Sequence, residues 1–338
     1  MSEAPPPVPV PADPDVEPGG LGALLGGAQT WWRRRFLDPD RPPIAVEVRR
    51  RAVGVVRLVR EAGRQVLGAA ASLELPAGTV ELSMTQPNVI DPVAFRHALR
   101  AVLERAGVLG GGQVTLVLPD PVARVALLPW AEVHGKRRSD TDELIRFRLR
   151  KAVPFDVREA QVDFVRLGVR SEDPVLVAAI YRPVLRSYEE ACESLGLHAG
   201  IVELTGLTLL TAVETGSAPP DRLLVNWDDG YVSFFLVRGN RLALVRTLTG
   251  EAAATPAQVA RELSSTSLYY RERLFGQGLG EVLVRSAALP AAEAAAVVSQ
   301  ALETEARPLD AWTGLAGDYG PVAHALAGAA ASLVRRAA

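Results

Sequence analysis

RLLVNWDDGYVSFFLVRGNRLALVRTLTG, residues 222–250, has the same layout as an earlier stretch, IAVEVRRRAVGVVRLVREAGRQVLGAAASLEL at residues 44–75. Each reads as strand, tight turn, strand, short turn, strand. In both, runs rich in Val, Leu, Ile and aromatic residues are broken by RRR, REAGR, NWDDG or RGN. Two matching meanders separated by a different pattern predict a duplicated α/β fold.

The first meander is followed by DPVAFRHALRAVLERAG, residues 91–107, with apolar side chains at Val93, Phe95, Ala98, Leu99, Val102, Leu103 and Ala106. That spacing predicts a helix opened by Asp91 as N-cap with Pro92 at the first position, and closed by Gly107. QVTLVLP then reads as a buried strand. Between the two meanders the order changes. ARVALLPW, the helix SDTDELIRFRLRKAVPF capped by Ser139 or Asp140, AQVDFVRLGV, PVLVAAIYR, the helix PVLRSYEEACESLGL and HAGIVEL form a β-α-β-β-α-β module. Helices at 255–275 and 290–306, the strand GEVLVRS and a terminal helix, YGPVAHALAGAAASLVRR, follow the second meander. The expected division is a tail at 1–43, a first half at 44–121, an inserted module at 122–202, a return helix at 203–221, a second half at 222–318 and a closing helix at 319–338.

Composition narrows the function. The 338 residues are 48% hydrophobic, enough for large cores, and their formal net charge of −2 argues against a dedicated nucleic-acid binder. Cys192 is the sole cysteine, so neither an intrachain disulfide nor a cysteine zinc site can form. It is read as a small buried hydrophobe. His97, His134, His198 and His324 lie too far apart for metal-ligand spacing, and no metal site is expected. GVLGGGQ, residues 107–113, lacks the Lys-Ser/Thr of a phosphate loop and leads into a strand, so it is a turn. No apolar run is long enough to span a membrane, and residues 1–20 are acidic and proline-rich without a basic leader, which points to a cytosolic compartment. Trp31 and Trp32, followed by three arginines, read as an interaction segment for a partner or an anionic membrane surface.

The meanders, the inserted module and the closing helix resemble the actin-like ATPase superfamily, and within it the PilM family of type IV pilus assembly proteins. The resemblance covers about residues 44–337. Its most specific stretch is DELIRFRLRKAVPFDVREAQVDFVRL, residues 142–167, where Glu143, Val153-Pro154-Phe155, Glu159 and Asp163-Phe164 match the family's acidic helix, IPF turn and DF pair. NVIDPVAFRHALRAVLERAG is similar to the family's I-D-P helix. FtsA-like proteins share the outline but usually end in a membrane-targeting helix. GspL-type secretion proteins carry a transmembrane segment.

The resemblance implies a duplicated actin-like (ribonuclease H-like) fold with an inserted small α+β module. It also directs attention to ATP with Mg²⁺, held in that superfamily by two glycine and hydroxyl turns and by carboxylates. At the first turn, Glu47 and Arg49 to Arg51 stand where the family reads D-I-G-S-S-S. At the second, Asn226, Asp228, Asp229 and Gly230 stand where it reads D-I-G-A-G-T-T-T. A glycine-rich adenine loop is replaced by AALPAAE. Glu47, Arg49, Asn226, Asp228 and Gly230 are therefore a degenerate nucleotide set, the arginines are expected to be solvated at a surface turn, and Asp229-Gly230 is expected to close a hairpin. No catalytic residue and no cofactor are expected.

What the resemblance then implies is a pseudo-ATPase scaffold, cytoplasmic and peripheral at the inner membrane through its partners. It would bind the cytoplasmic peptide of a PilN-like bitopic protein and other pilus platform proteins. Phe147, Pro154 and Phe155, with the strand end at Pro119, are the candidate peptide contacts, beside Trp31 and Trp32 of the tail. The alternatives are a working actin-like ATPase of the same machine and the platform component of a type II secretion system.

Overall fold

Strand β1 (Ile44–Val48) lies at the centre of a five-stranded sheet, ordered β3-β2-β1-β4-β8. It pairs antiparallel with β2 (Ala52–Glu61) and parallel with β4 (Gly112–Leu118). β3 (Arg64–Glu74) and β8 (Leu197–Leu204) form the edges. The second sheet repeats this plan. β9 (Arg222–Asp228) pairs antiparallel with β10 (Tyr231–Arg238) and parallel with β12 (Glu281–Ser286), giving the order β11-β10-β9-β12-β13 with β11 (Arg241–Thr249) and β13 (Ala306–Pro308) outermost. The duplication read from the meanders is present strand for strand. The computed structural model describes residues 42–61, 64–108, 110–135, 137–168, 170, 172–213, 220–312 and 324–333.

Helix α1 (Pro92–Arg105) forms as its sequence demands. The Asp91 carboxylate accepts the N–H groups of Val93 and Ala94 at 3.0 and 2.9 Å, and Gly107 turns the chain away at φ +62°. Phe95, Leu99, Val102 and Leu103 are buried against the first sheet, each contributing about 1.5–3 kcal/mol by leaving water.

The inserted module differs from its expected bounds. Its sheet has three strands, β5-β7-β6: β5 (Ala123–Pro129), β6 (Ala160–Arg166) and β7 (Pro174–Tyr181). Helix α2 (Arg138–Leu149) packs Ile145 and Leu149 into a separate small core with Val157, Val162, Val175 and Val177. Strand β8, expected inside the module, instead runs parallel to β4 in the main sheet. Helix α3 (Arg182–Glu193), which precedes β8, buries Val184, Tyr188, Ala191 and Cys192 in the core of the first half. The reason is hydrophobic continuity, since these side chains meet Leu197 and the α1 face rather than the module core. The cap of α2 is also displaced. Ser139 and Asp140 lie inside its first turn, and Asp140 reaches back to the Arg137 N–H at 3.2 Å.

Helices α4 (Thr205–Leu209), α5 (Pro256–Arg273), α6 (Ala291–Leu302) and α7 (Ala327–Leu333) complete the described chain. Among the described residues, no helix is long and apolar enough to cross a membrane.

Candidate functional site

Two concave features follow from this architecture. The first is the cleft between the halves, towards which the C-terminal ends of β1, β4, β9 and β12 converge. β12 carries Arg285 in the middle of EVLVRS, and its side chain is fully buried. Its guanidinium donates to Asp228 at 2.6 Å and to Asn226 Oδ1 at 3.1 Å within the second half. The other terminal nitrogen crosses to the first half, donating to Glu47 Oε1 at 2.8 Å, and also reaches the Ala325 carbonyl at 2.8 Å. The second oxygen of Glu47 accepts the Ala329 N–H of α7 at 2.7 Å. Gly328 makes that approach possible, because a Cβ there would stand 3.0 Å from Glu47 Oε1 and 2.9 Å from Thr205.

Asp120, at the end of β4, makes a second crossing. One oxygen accepts the Gly206 N–H at 2.6 Å and the other accepts Asn226 Nδ2 at 2.9 Å. A third crossing joins the two hairpin turns. Arg51 Nε lies 3.3 Å and Arg50 Nη1 3.7 Å from Asp229, while Arg50 also donates to Glu81 at 2.8 Å. The arginines expected to be only solvated thus clasp the opposite turn, and Arg49 donates to Ser72. Asp229-Gly230 does close the β9–β10 hairpin, with Gly230 at φ +84°.

The electrostatics follow from burial. Desolvation raises the pKa of Glu47, and Arg285 only partly opposes it; desolvation likewise raises that of Asp120. Burial pulls Arg285 downward, but Asp228 and Glu47 more than offset it, so the guanidinium stays charged. Burial, and then the Arg285 charge, lower His324 to about 4. The neutral ring accepts the Ser286 N–H on Nε2 at 2.8 Å.

The second feature is a groove of about 840 Å³ between the module and the first half. Phe164, Ala178 and Ile180 from β6 and β7 form one wall, and Ile201 and Val202 of β8 the other, with Glu189 of α3 reaching in. β8 has β4 on one side and, among the described residues, no strand on the other. The Phe164 ring is covered at 4.6 Å by the Arg138 guanidinium.

The expected peptide contacts do not meet in this groove. Pro119 is buried at the end of β4, its carbonyl taken by the Val122 N–H, which withdraws it from any partner. Phe147 is 63% exposed on the outer face of α2, and Pro154 is exposed. Phe155 stacks on Tyr181 with ring centroids 5.4 Å apart. Trp31 and Trp32 lie outside the described residues. A peptide groove beside the module is what the resemblance implies, but Arg285, Asp120 and the residues that line the groove were not anticipated. The available signals were an arginine inside an otherwise apolar strand and a strand, HAGIVEL, apolar on both faces.

These features define the fold as that of the actin-like ATPases. A protein of that fold from Bacteroides thetaiotaomicron VPI-5482 superposes with a TM-score of 0.51 at 8% identity, over 81% of this chain and 93% of its own. A solved PilM–PilN type IV pilus biogenesis complex is similar at a TM-score of 0.70 and 19% identity, over 88% of this chain and 100% of that chain. At such identities the likeness establishes the fold. No protein-family model and no curated protein matches the sequence.

Proposed function

We propose that this chain is a non-catalytic cytoplasmic scaffold of a type IV pilus assembly platform. It holds the cytoplasmic peptide of a PilN-like membrane partner in the groove between β6, β7 and β8, and meets the inner membrane through that partner. The observation that carries the pseudo-ATPase part is Arg285. Mg²⁺-ATP needs carboxylates free to hold the metal's waters and backbone N–H groups turned to the phosphates. Here Glu47 and Asp228 are both engaged by one internal guanidinium, and Asp229 adds negative charge at a turn already clasped by Arg50 and Arg51. These residues do not fit the group. The scaffold part is supported by the open apolar groove and by the shared fold with a protein solved together with PilN.

Thermal unfolding with millimolar Mg²⁺-ATP tests the first part. No shift in Tm is expected, whereas a saturable stabilisation abolished by Gly230→Arg would overturn it. Titration with the N-terminal peptide of a bitopic membrane protein encoded beside this chain tests the second. Binding lost in Ala178→Arg is expected, and an absence of binding would count against the groove.

A further inference from the structure

One carboxylate of the groove, that of Glu189, makes no ion pair among the described residues. Asp163 pairs with Arg138, Arg186 with Glu190, and Arg182 donates to the Arg158 carbonyl. Partial burial, and then the neighbouring Glu193, raise the pKa of Glu189, with the nearby Arg186 opposing them only in part. An occupant that suits this groove is therefore an extended apolar segment with a cation close to its aromatic or aliphatic anchors. It would lie along the open edge of β8, where main-chain pairing provides the binding and alternate side chains the selectivity.

One such segment is in the chain itself. Thr30-Trp31-Trp32-Arg33-Arg34-Arg35-Phe36 combines residues that favour extended structure with three cations. Its tether ends nearby. The described chain starts at Pro42, and β1 enters the sheet with Ala45 paired to Thr115, which is itself paired to Ile201 of the groove wall. Two strand spacings amount to about 10 Å. The residues between Phe36 and Pro42 span up to ~20 Å when extended. A short tether of this kind sets an effective concentration on the order of millimolar, so even a weak intramolecular contact is well populated.

We propose that Thr30–Phe36 occupies the groove of its own chain, with the tryptophans against the apolar walls and an arginine on Glu189, and that a partner peptide must displace it. This rests on the groove reading above. It makes access to the scaffold a competition rather than a simple binding event.

Cross-linking tests the placement directly, because the one native cysteine, Cys192, is fully buried. Gly200 accepts a side chain, since a Cβ there would only touch Gln113 at 3.5 Å. In the full chain, Thr30→Cys with Gly200→Cys should oxidise to an intramolecular disulfide at least about tenfold faster than Thr30→Cys with Gln277→Cys, a control on exposed surface of the second half. Equal rates would overturn the proposal. A fluorescein-labelled synthetic peptide of residues 28–38 supplies the second arm. Among the described residues the hydrophobic cores begin at Ile44, so a chain lacking residues 1–41 retains every one of these core residues. That shortened chain should bind the peptide at least tenfold more tightly than the full chain, and Glu189→Arg should weaken the binding. Equal affinity for both chains would overturn the proposal. A PilN-like peptide bound equally by both chains would overturn the self-occupancy and leave the proposed function standing, whereas one bound by neither would remove the function itself.

Discussion

The cleft and the groove are both concave and both lie at a junction between two parts of the chain, yet they are filled in opposite ways. In the cleft, Glu47, Asp120, Asn226, Asp228 and Arg285 are buried and hydrogen-bonded to one another, with the Arg285 Nε alone of that guanidinium left without a partner. In the groove, apolar side chains face outward beside a strand edge with no partner strand among the described residues, and Glu189 makes no ion pair among them. In the cleft the counter-charge to both carboxylates comes from the chain's own β12. The difference shows where a ligand can still add free energy: where polar groups lack partners, not where they have them.

The contrast is broken most severely at Arg285. Arg285→Met leaves Glu47 and Asp228 buried without a counter-charge, which costs about 3–5 kcal/mol. Chemical denaturation should show this, and Glu47→Gln with Asp228→Asn in the same chain should recover much of it. If Arg285→Met alone were neutral, the cleft would not be held by charge. His324 gives a graded version. Its pKa is about 4 in the folded state against an ordinary value of 6.5, so the unfolded chain takes up the proton first as pH falls. Its contribution is therefore full above pH 6.5 and is lost between pH 6.5 and 4. At 1.36 kcal/mol per unit, reduced for a half-buried ring, the loss is about 2 kcal/mol. His324→Gln should flatten that limb of stability against pH; an unchanged limb would mean that the ring titrates normally.

On the other side, Ala178→Arg should weaken a PilN-like peptide at least tenfold, about 1.4 kcal/mol, while moving Tm by no more than a degree or two. The smallest effect belongs to the hairpin clasp. The Arg51–Asp229 pair is partly exposed, and Arg51→Ala should cost about 0.5 kcal/mol or less and fade with added salt. A larger, salt-insensitive loss would make the clasp part of the buried network.

The pattern of legibility follows the same division. The two meanders could be read because strand periodicity and turn residues are local, and the 91–107 helix because its cap, Pro92 and Gly107 lie in one window. Strand 197–204 was misassigned because its partner, β4, is set by tertiary packing rather than by the order of elements. Pro119 is a candidate peptide contact in the sequence because it ends a strand beside the module, but that strand lies within the core and buries it. Arg285 was the largest loss. Its counter-charges come from positions 47 and 228 and its carbonyl acceptor from 325, and no window spans them. Only the presence of an arginine among β-branched and apolar neighbours hinted that it had partners to find.

Duplicated folds usually leave each half with its own core, free to melt on its own schedule. Here the second half alone would keep Arg285 paired with Asp228, but the first would hold Glu47 without its guanidinium, with the Ala329 N–H as its remaining hydrogen bond. The first half is electrically incomplete without the second. The consequence is cooperativity: the two halves should unfold in a single calorimetric transition whose van't Hoff and calorimetric enthalpies agree, and Arg285→Met should split it in two.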